Sequence, residues 1–222
     1  MNLLWMTARA GGIVAWALAA ASVLWGLALS TRILGRTPRP AWLYDLHRFL
    51  GGIALVFTGV HVLAISLDTY TSFSLTQILV PFAATWHPGA VAWGIVGLYL
   101  LVAVEVTSLL RTRIPSRVWR RVHFGSFALF AAATVHALSA GTDRHAPWFL
   151  GVVVGVAALV AALAAVRLLL ASDPTAGRAA GSGRVATDRL RVPPPPVAVA
   201  AAAARPGAAR RTAPLPPHHE RR

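Results

Sequence analysis

Four of the eight histidines in this 222-residue sequence, His47, His61, His123 and His136, fall inside strongly apolar stretches. An ionisable side chain at membrane depth is costly, so its default reading is functional. A single such histidine is more often a satisfied packing residue than a ligand. Four of them, set as two pairs with similar spacing, are harder to dismiss. His47 and His61 are 14 residues apart, and His123 and His136 are 13 apart. At about 1.5 Å of helical rise per residue, each pair spans about 20 Å, roughly two-thirds of a bilayer's hydrocarbon thickness. Each segment therefore offers one imidazole near each face. Cysteine is absent, and the only methionines are Met1 and Met6. That excludes disulfides, thiolate-held iron–sulfur clusters and cysteine-attached haem. An iron inside this protein would be held mainly by histidine. Imidazoles on both sides of a haem iron leave no open position for substrate, which suits electron transfer.

The elements that carry these residues are membrane helices. The chain is 56% hydrophobic and only 13% charged, against about 25% charged for a soluble domain. Five stretches of about the 20 apolar residues needed to span appear, near 11–30, 46–67, 90–110, 118–140 and 147–171. Pro38, Pro40, Pro81, Pro88, Pro115 and Pro147 fall between them or at first turns, as helix boundaries require. The first segment has an Ala-rich stretch like a cleavage site, but its apolar run continues past it, so it is expected to remain as a helix. Residues 73–83 are too short to span and are cut by Pro81; they are expected to form an interfacial or re-entrant piece. Residues 172–222 hold nine of the fifteen prolines and nine arginines against three acids. That composition predicts a disordered, basic Pro/Ala-rich cytoplasmic tail, with residues 1–171 as the transmembrane domain.

The formal charge of +14 does not point to nucleic acid, because no basic-aromatic module is present. The arginines alternate between loops instead. Arg32, Arg36 and Arg39 occupy one loop, the stretch 68–89 has none, Arg111, Arg113 and Arg117 occupy the next, and Arg144 stands alone before the last segment. The positive-inside rule then predicts an all-α polytopic bundle with its N-terminus outside and its C-terminus cytoplasmic. Trp42, Trp86, Trp119 and Trp148 are placed to form an interfacial belt. In this topology the second and fourth segments are parallel. His47 should therefore meet His123 near the inner face, and His61 should meet His136 nearer the outer one.

One feature of the spacing resists. A 14-residue step returns within about 40° of the same helix face, whereas a 13-residue step lands about 140° away. The fourth segment must be overwound or kinked, near Gly125-Ser126, or must reach one partner around its shoulder. Gly51, Gly52, Gly59, Gly125, Ser126 and Ala131 to Ala133 leave room for a macrocycle or, equally, for close helix packing. Arg48, Arg120 and Arg121 are candidate partners for inner haem propionates or are plain anchoring charges. Glu105 reads first as a carboxylate snorkelling to the interface, and second as a proton or quinone contact. His87 and His145 read as solvated loop residues before they read as outer metal or acceptor contacts, and His218-His219 are too sparse for a metal site.

The pattern Asp45-Leu46-His47-Arg48-Phe49-Leu50-Gly51, then His61, Arg121-Val122-His123 and His136, resembles the ferric reductase-like transmembrane domain over roughly residues 10–170. That superfamily includes ferric reductases, NADPH oxidases and the haem-binding subunit of the bacterial methionine sulfoxide reductase system. The resemblance implies that the four histidines are axial ligands of two stacked b haems, or of fewer in some bacterial members, with Arg48 and Arg121 beside them. It also implies a multi-pass protein of the bacterial plasma membrane, nearest the stand-alone forms. Electrons then pass to or from a separate redox protein or quinone, and any flavin belongs to that partner. The expected function is electron transfer within an oxidoreductase system, with no bond-making chemistry by the bundle itself. The alternatives are a membrane cytochrome b that oxidises quinol or ascorbate, and a non-redox scaffold or transporter whose histidines pack or relay protons.

Overall fold

The computed structural model describes residues 3–31, 40–69 and 72–172, the last three by backbone alone. The basic loop with Arg32, Arg36 and Arg39, the expected tail and His218-His219 lie outside the described residues. Six helices and no strand occur among those described: α1 Leu3–Thr31, α2 Ala41–Leu67, α3 Leu75–Leu79, α4 Pro88–Leu109, α5 Ser116–Ala140 and α6 Pro147–Ser172. All but α3 are long and apolar enough to cross a membrane. Proline opens α4 and α6 and directly precedes α2 and α5, where its missing N–H costs no intrahelical bond.

Residues 73–83 form only the single short helix α3. Ser74 caps it, accepting from the Gln77 backbone, while the Gln77 side chain accepts from the Ser74 N–H. This reciprocal pair starts a helix, and Pro81 prevents its extension. The Tyr99 hydroxyl of α4 donates to the Leu79 carbonyl and ties α3 down. Apolar side chains along this piece, Leu75 and Phe82 among them, remain exposed, as an interfacial segment requires.

Four helices make a square. α2 packs on α1, and α5 packs on α4; α1 also touches α5, and α2 touches α4. The diagonal partners α2 and α5 do not pack closely on each other. α6 lies on α1, where Trp16, Val23 and Leu27 meet Phe130, Phe149 and Val153 in the core. Hydrogen bonds between helices fix the register: Trp16 Nε1 donates to Thr134 Oγ1 at 3.0 Å, and Trp25 Nε1 to the Leu43 carbonyl at 2.9 Å. Large apolar side chains such as Phe49, Val56, Leu63, Val152 and Leu168 point outward. Lipid tails solvate such a surface as well as a protein core does.

The first helix begins near Leu3, well before the expected position 11, so Arg9 lies within it. Its charge is matched. Arg9 Nε donates to Asp143 Oδ2 at 2.7 Å, and its Nη2 contacts the other carboxylate oxygen, a bidentate pair with the nearly buried Asp143 of the α5–α6 turn. Trp5 covers the guanidinium. Bidentate geometry is what makes such a pair strong, and it lets the helix extend through a charged residue. Asp143→Leu, which strands Arg9, should lower the thermal unfolding temperature of the detergent-purified protein more than the double replacement Arg9→Leu/Asp143→Leu does.

Candidate functional site

The four histidines meet in two pairs across the diagonal of the square. The rings of His47 and His123 have their centres 5.9 Å apart, and those of His61 and His136 are 6.3 Å apart, with ring planes at 77° and 76°. Both pairs join α2 to α5, so these helices are parallel. A metal–imidazole bond is about 2 Å long and the ring centre lies about 1.2 Å beyond the nitrogen. Two imidazoles on opposite sides of one iron therefore have centres about 6 Å apart.

Each ring at the His61/His136 end is held by a neighbouring helix. His61 Nδ1–H donates to the Ala8 carbonyl of α1 at 2.6 Å, and His136 Nδ1–H to the Ala90 carbonyl of α4 at 2.8 Å. A carbonyl only accepts, so the proton sits on Nδ1 and the Nε2 lone pair is left free as a ligand. One helical turn beyond each carbonyl stands a glycine. A Cβ at Gly12 would lie 2.9 Å from His61 Nδ1, and one at Gly94 would lie 2.8 Å from Nδ1 and Cε1 of His136. His47 repeats the arrangement on α1 with a weaker partner: its Nδ1 is 3.4 Å from Ser22 Oγ, and a Cβ at Gly26, one turn on, would lie 3.1 Å from Cε1. Gly12 and Gly26 are 14 residues apart, the same step as His61 and His47. That matched step was visible in the sequence. It was missed because these glycines stand on helices that carry no histidine.

His123 is different. Its Nδ1 is buried and has no hydrogen-bond partner among the described residues. Its ring instead stacks on Trp119, with centres 5.0 Å apart and planes at 24°. Trp119 is thus turned into the bundle and does not join the interfacial belt, whereas Trp42, Trp86 and Trp148 are exposed as expected. The 13-residue step is absorbed without the expected overwinding, because α5 runs from Ser116 to Ala140 with no 3₁₀ or π turn. The two rings leave the helix in different directions and are steadied by different neighbours.

The remaining candidates divide. Gly51 faces Glu105 of α4, where a Cβ would collide with the carboxylate. Glu105 therefore does not snorkel along its helix; it leans into space that Gly51 leaves open, one turn from His47. Gly52 and Gly59 meet nothing within 4 Å and share the outward side of α2 with Phe49, Val56 and Leu63. Gly125 touches Leu100, and Ala132 and Ala133 face Gly97, so these serve α4–α5 packing. Arg48, Arg120 and Arg121 are exposed. The cations near His123 are Arg111, over the Trp119 ring, and Arg167, over Phe124, neither of which the sequence singles out. His87 is exposed and caps α4 in the left-handed region, and exposed His145 accepts from Arg144 Nε at 3.0 Å. Neither joins the pairs.

Among the described residues no group of three or more His, Cys, Asp or Glu is placed to hold a metal ion. Two ligands alone do not complete a protein-only metal site. They do complete one in which a planar macrocycle supplies four nitrogens. The ring separations, the free Nε2 atoms and the unpacked diagonal between α2 and α5 all fit a haem.

A family model described as ferric reductase like transmembrane component matches residues 11–135. The match takes in His47, His61 and His123 and stops one residue before His136. No protein of curated function and no solved structure matches the chain.

The glycine contacts give a direct test. Gly94→Ala should force the His136 ring away, costing about 1–3 kcal/mol of stability and lowering the thermal unfolding temperature of the purified protein. Gly52→Ala, whose Cβ enters open space, should leave thermal unfolding unchanged.

Proposed function

The chain belongs to the ferric reductase-like transmembrane family, and from that premise we propose that it carries electrons across a bilayer through two b-type haems. In this reading His47 and His123 hold one haem, and His61 and His136 hold the other. The observation that carries it is the pair of cross-helix ring separations, 5.9 and 6.3 Å, on two parallel helices.

A bound b haem supplies a one-electron iron couple; everything else is the protein's work. The Ala8 and Ala90 carbonyls keep a proton on Nδ1 of His61 and His136, so that Nε2 is always presented to the iron. Gly12, Gly26 and Gly94 bring the neighbouring helices close enough to fix three of the rings. Trp16, Val23, Leu27 and Phe130, packed in the core that α1 shares with α5 and α6, support a dry interior, and low dielectric strengthens the influence of nearby charges. With a 14-residue step, His47 and His61 stand about 20 Å apart along α2, so haems held by the two pairs would lie one above the other along the bundle and supply a route for electrons across it.

The alternation of arginines supports placing the His47/His123 haem toward the cytoplasm. Arg48 and Arg121, at that end, are proposed to meet its propionates, and a separate redox protein or a quinone to exchange electrons there. The protein is then a conductor within an oxidoreductase of the bacterial plasma membrane, nearest in kind to the stand-alone haem-binding subunits.

Pyridine haemochrome assay of the chain, expressed with ample haem, should give two haem b per polypeptide. His61→Ala or His136→Ala should leave one, and so should His47→Ala or His123→Ala. Absence of haem b from the wild-type protein would refute the reading, and would favour the non-redox scaffold instead.

A further inference from the structure

The two ends of the bundle treat their histidines unequally. At the His61/His136 end both Nδ1 atoms donate to backbone carbonyls, at 2.6 and 2.8 Å. At the other end the hold is weaker: His47 Nδ1 has the Ser22 hydroxyl at 3.4 Å, and His123 Nδ1 has no hydrogen-bond partner among the described residues. What steadies His123 is a stack. Arg111 Cζ lies 4.5 Å over the Trp119 ring, and the same indole stacks on the His123 imidazole. A second cation, Arg167 of α6, lies 5.3 Å over Phe124, the residue next to His123.

We infer that Trp119 is the positioning residue of the His123 ligand, and that the haem at the His47/His123 end has the higher reduction potential of the two. The inference rests on the two-haem reading above. Two independent effects give it its sign. A histidine whose Nδ1–H is bonded to a carbonyl is a more basic ligand and stabilises the oxidised, more positive iron. That effect is strong at the His61/His136 end and weak at the other. A nearby fixed cation favours the iron state with one positive charge fewer, the reduced one. Arg111 and Arg167 act at the His47/His123 end and outnumber the Glu105 carboxylate beside Gly51 there, whereas Arg9, at the opposite end, is matched by Asp143. Both effects make the haem between His47 and His123 the first to be reduced. Trp119 contributes by holding the imidazole plane without offering it an acceptor; its own Nε1 is also buried and unpartnered.

Redox potentiometry of the full chain in lipid nanodiscs, followed by visible absorbance, tests the order. The wild type should show two one-electron steps. His61→Ala or His136→Ala should abolish the lower step, and His47→Ala the upper one; the reverse assignment overturns the inference. Arg111→Gln should lower the upper step alone, so that the fraction reduced at the wild-type midpoint falls several-fold. An unmoved upper step would overturn the electrostatic argument. Electron paramagnetic resonance of the oxidised protein, which is sensitive to the angle between axial imidazole planes, tests Trp119. Trp119→Leu should alter the signal of the upper-step haem only, and Trp119→Phe, which keeps a stacking ring, should restore it. An unchanged signal in Trp119→Leu refutes the positioning role. Should that variant not accumulate, a Trp119→Phe signal unlike the wild type refutes it equally. A chain with no haem fails the functional reading; a chain with two haems in reversed order fails only this inference.

Discussion

The structure turns on one constraint: an imidazole at membrane depth is costly unless a protein group meets its second ring nitrogen, and for three of the four histidines one does. Water is absent there, so the partner must be protein. At His61 and His136 the partner is a backbone carbonyl of an adjacent helix, reached because a glycine one turn away leaves space for the ring. The requirement therefore reaches beyond the helices that carry the histidines. It dictates which helices neighbour α2 and α5, how closely they approach, and where they must lack a side chain. The square of α1, α2, α4 and α5, with the histidine helices on one diagonal, satisfies those demands together.

The two hairpins play equivalent parts. Each runs through a supporting helix, α1 or α4, and returns through a helix with two histidines, α2 or α5. Both hairpins point the same way, so equivalent residues meet at the same depth and each pair takes one histidine from each hairpin. The equivalence is incomplete. On α1 the glycine step of 14 matches the histidine step of 14, whereas α5 spaces its histidines by 13. His123 is thereby left without the clamp its counterparts have, and Trp119 and Arg111 occupy its surroundings instead. A one-residue difference in spacing becomes a difference in the electrostatics of two sites.

Much of this was legible in the sequence. The five spanning helices, the non-spanning piece at 73–83 and the grouping of His47 with His123 and His61 with His136 follow from apolar length, proline positions and the periodicity of a rigid helix. What was not legible depended on side-chain direction. Trp119 has the position of an interfacial belt residue and yet turns inward, because the stack with His123 offers its ring a partner. Arg111 and Arg167 come close to His123 from a turn and from a helix distant in sequence. Glu105 leans toward Gly51 because a glycine on another helix leaves room for it. Arg9 could enter the first helix only because Asp143, more than 130 residues away, neutralises it.

The central claim, that this chain conducts electrons from one side of a bilayer to the other, is tested most directly in sealed vesicles. Proteoliposomes carrying the haem-loaded protein would enclose ferricyanide and receive the membrane-impermeant reductant dithionite outside. The account predicts that trapped ferricyanide is reduced at a rate proportional to protein content, and that His61→Ala or His123→Ala stops it while the vesicles stay sealed. Full haem occupancy with trapped ferricyanide left oxidised would contradict the account.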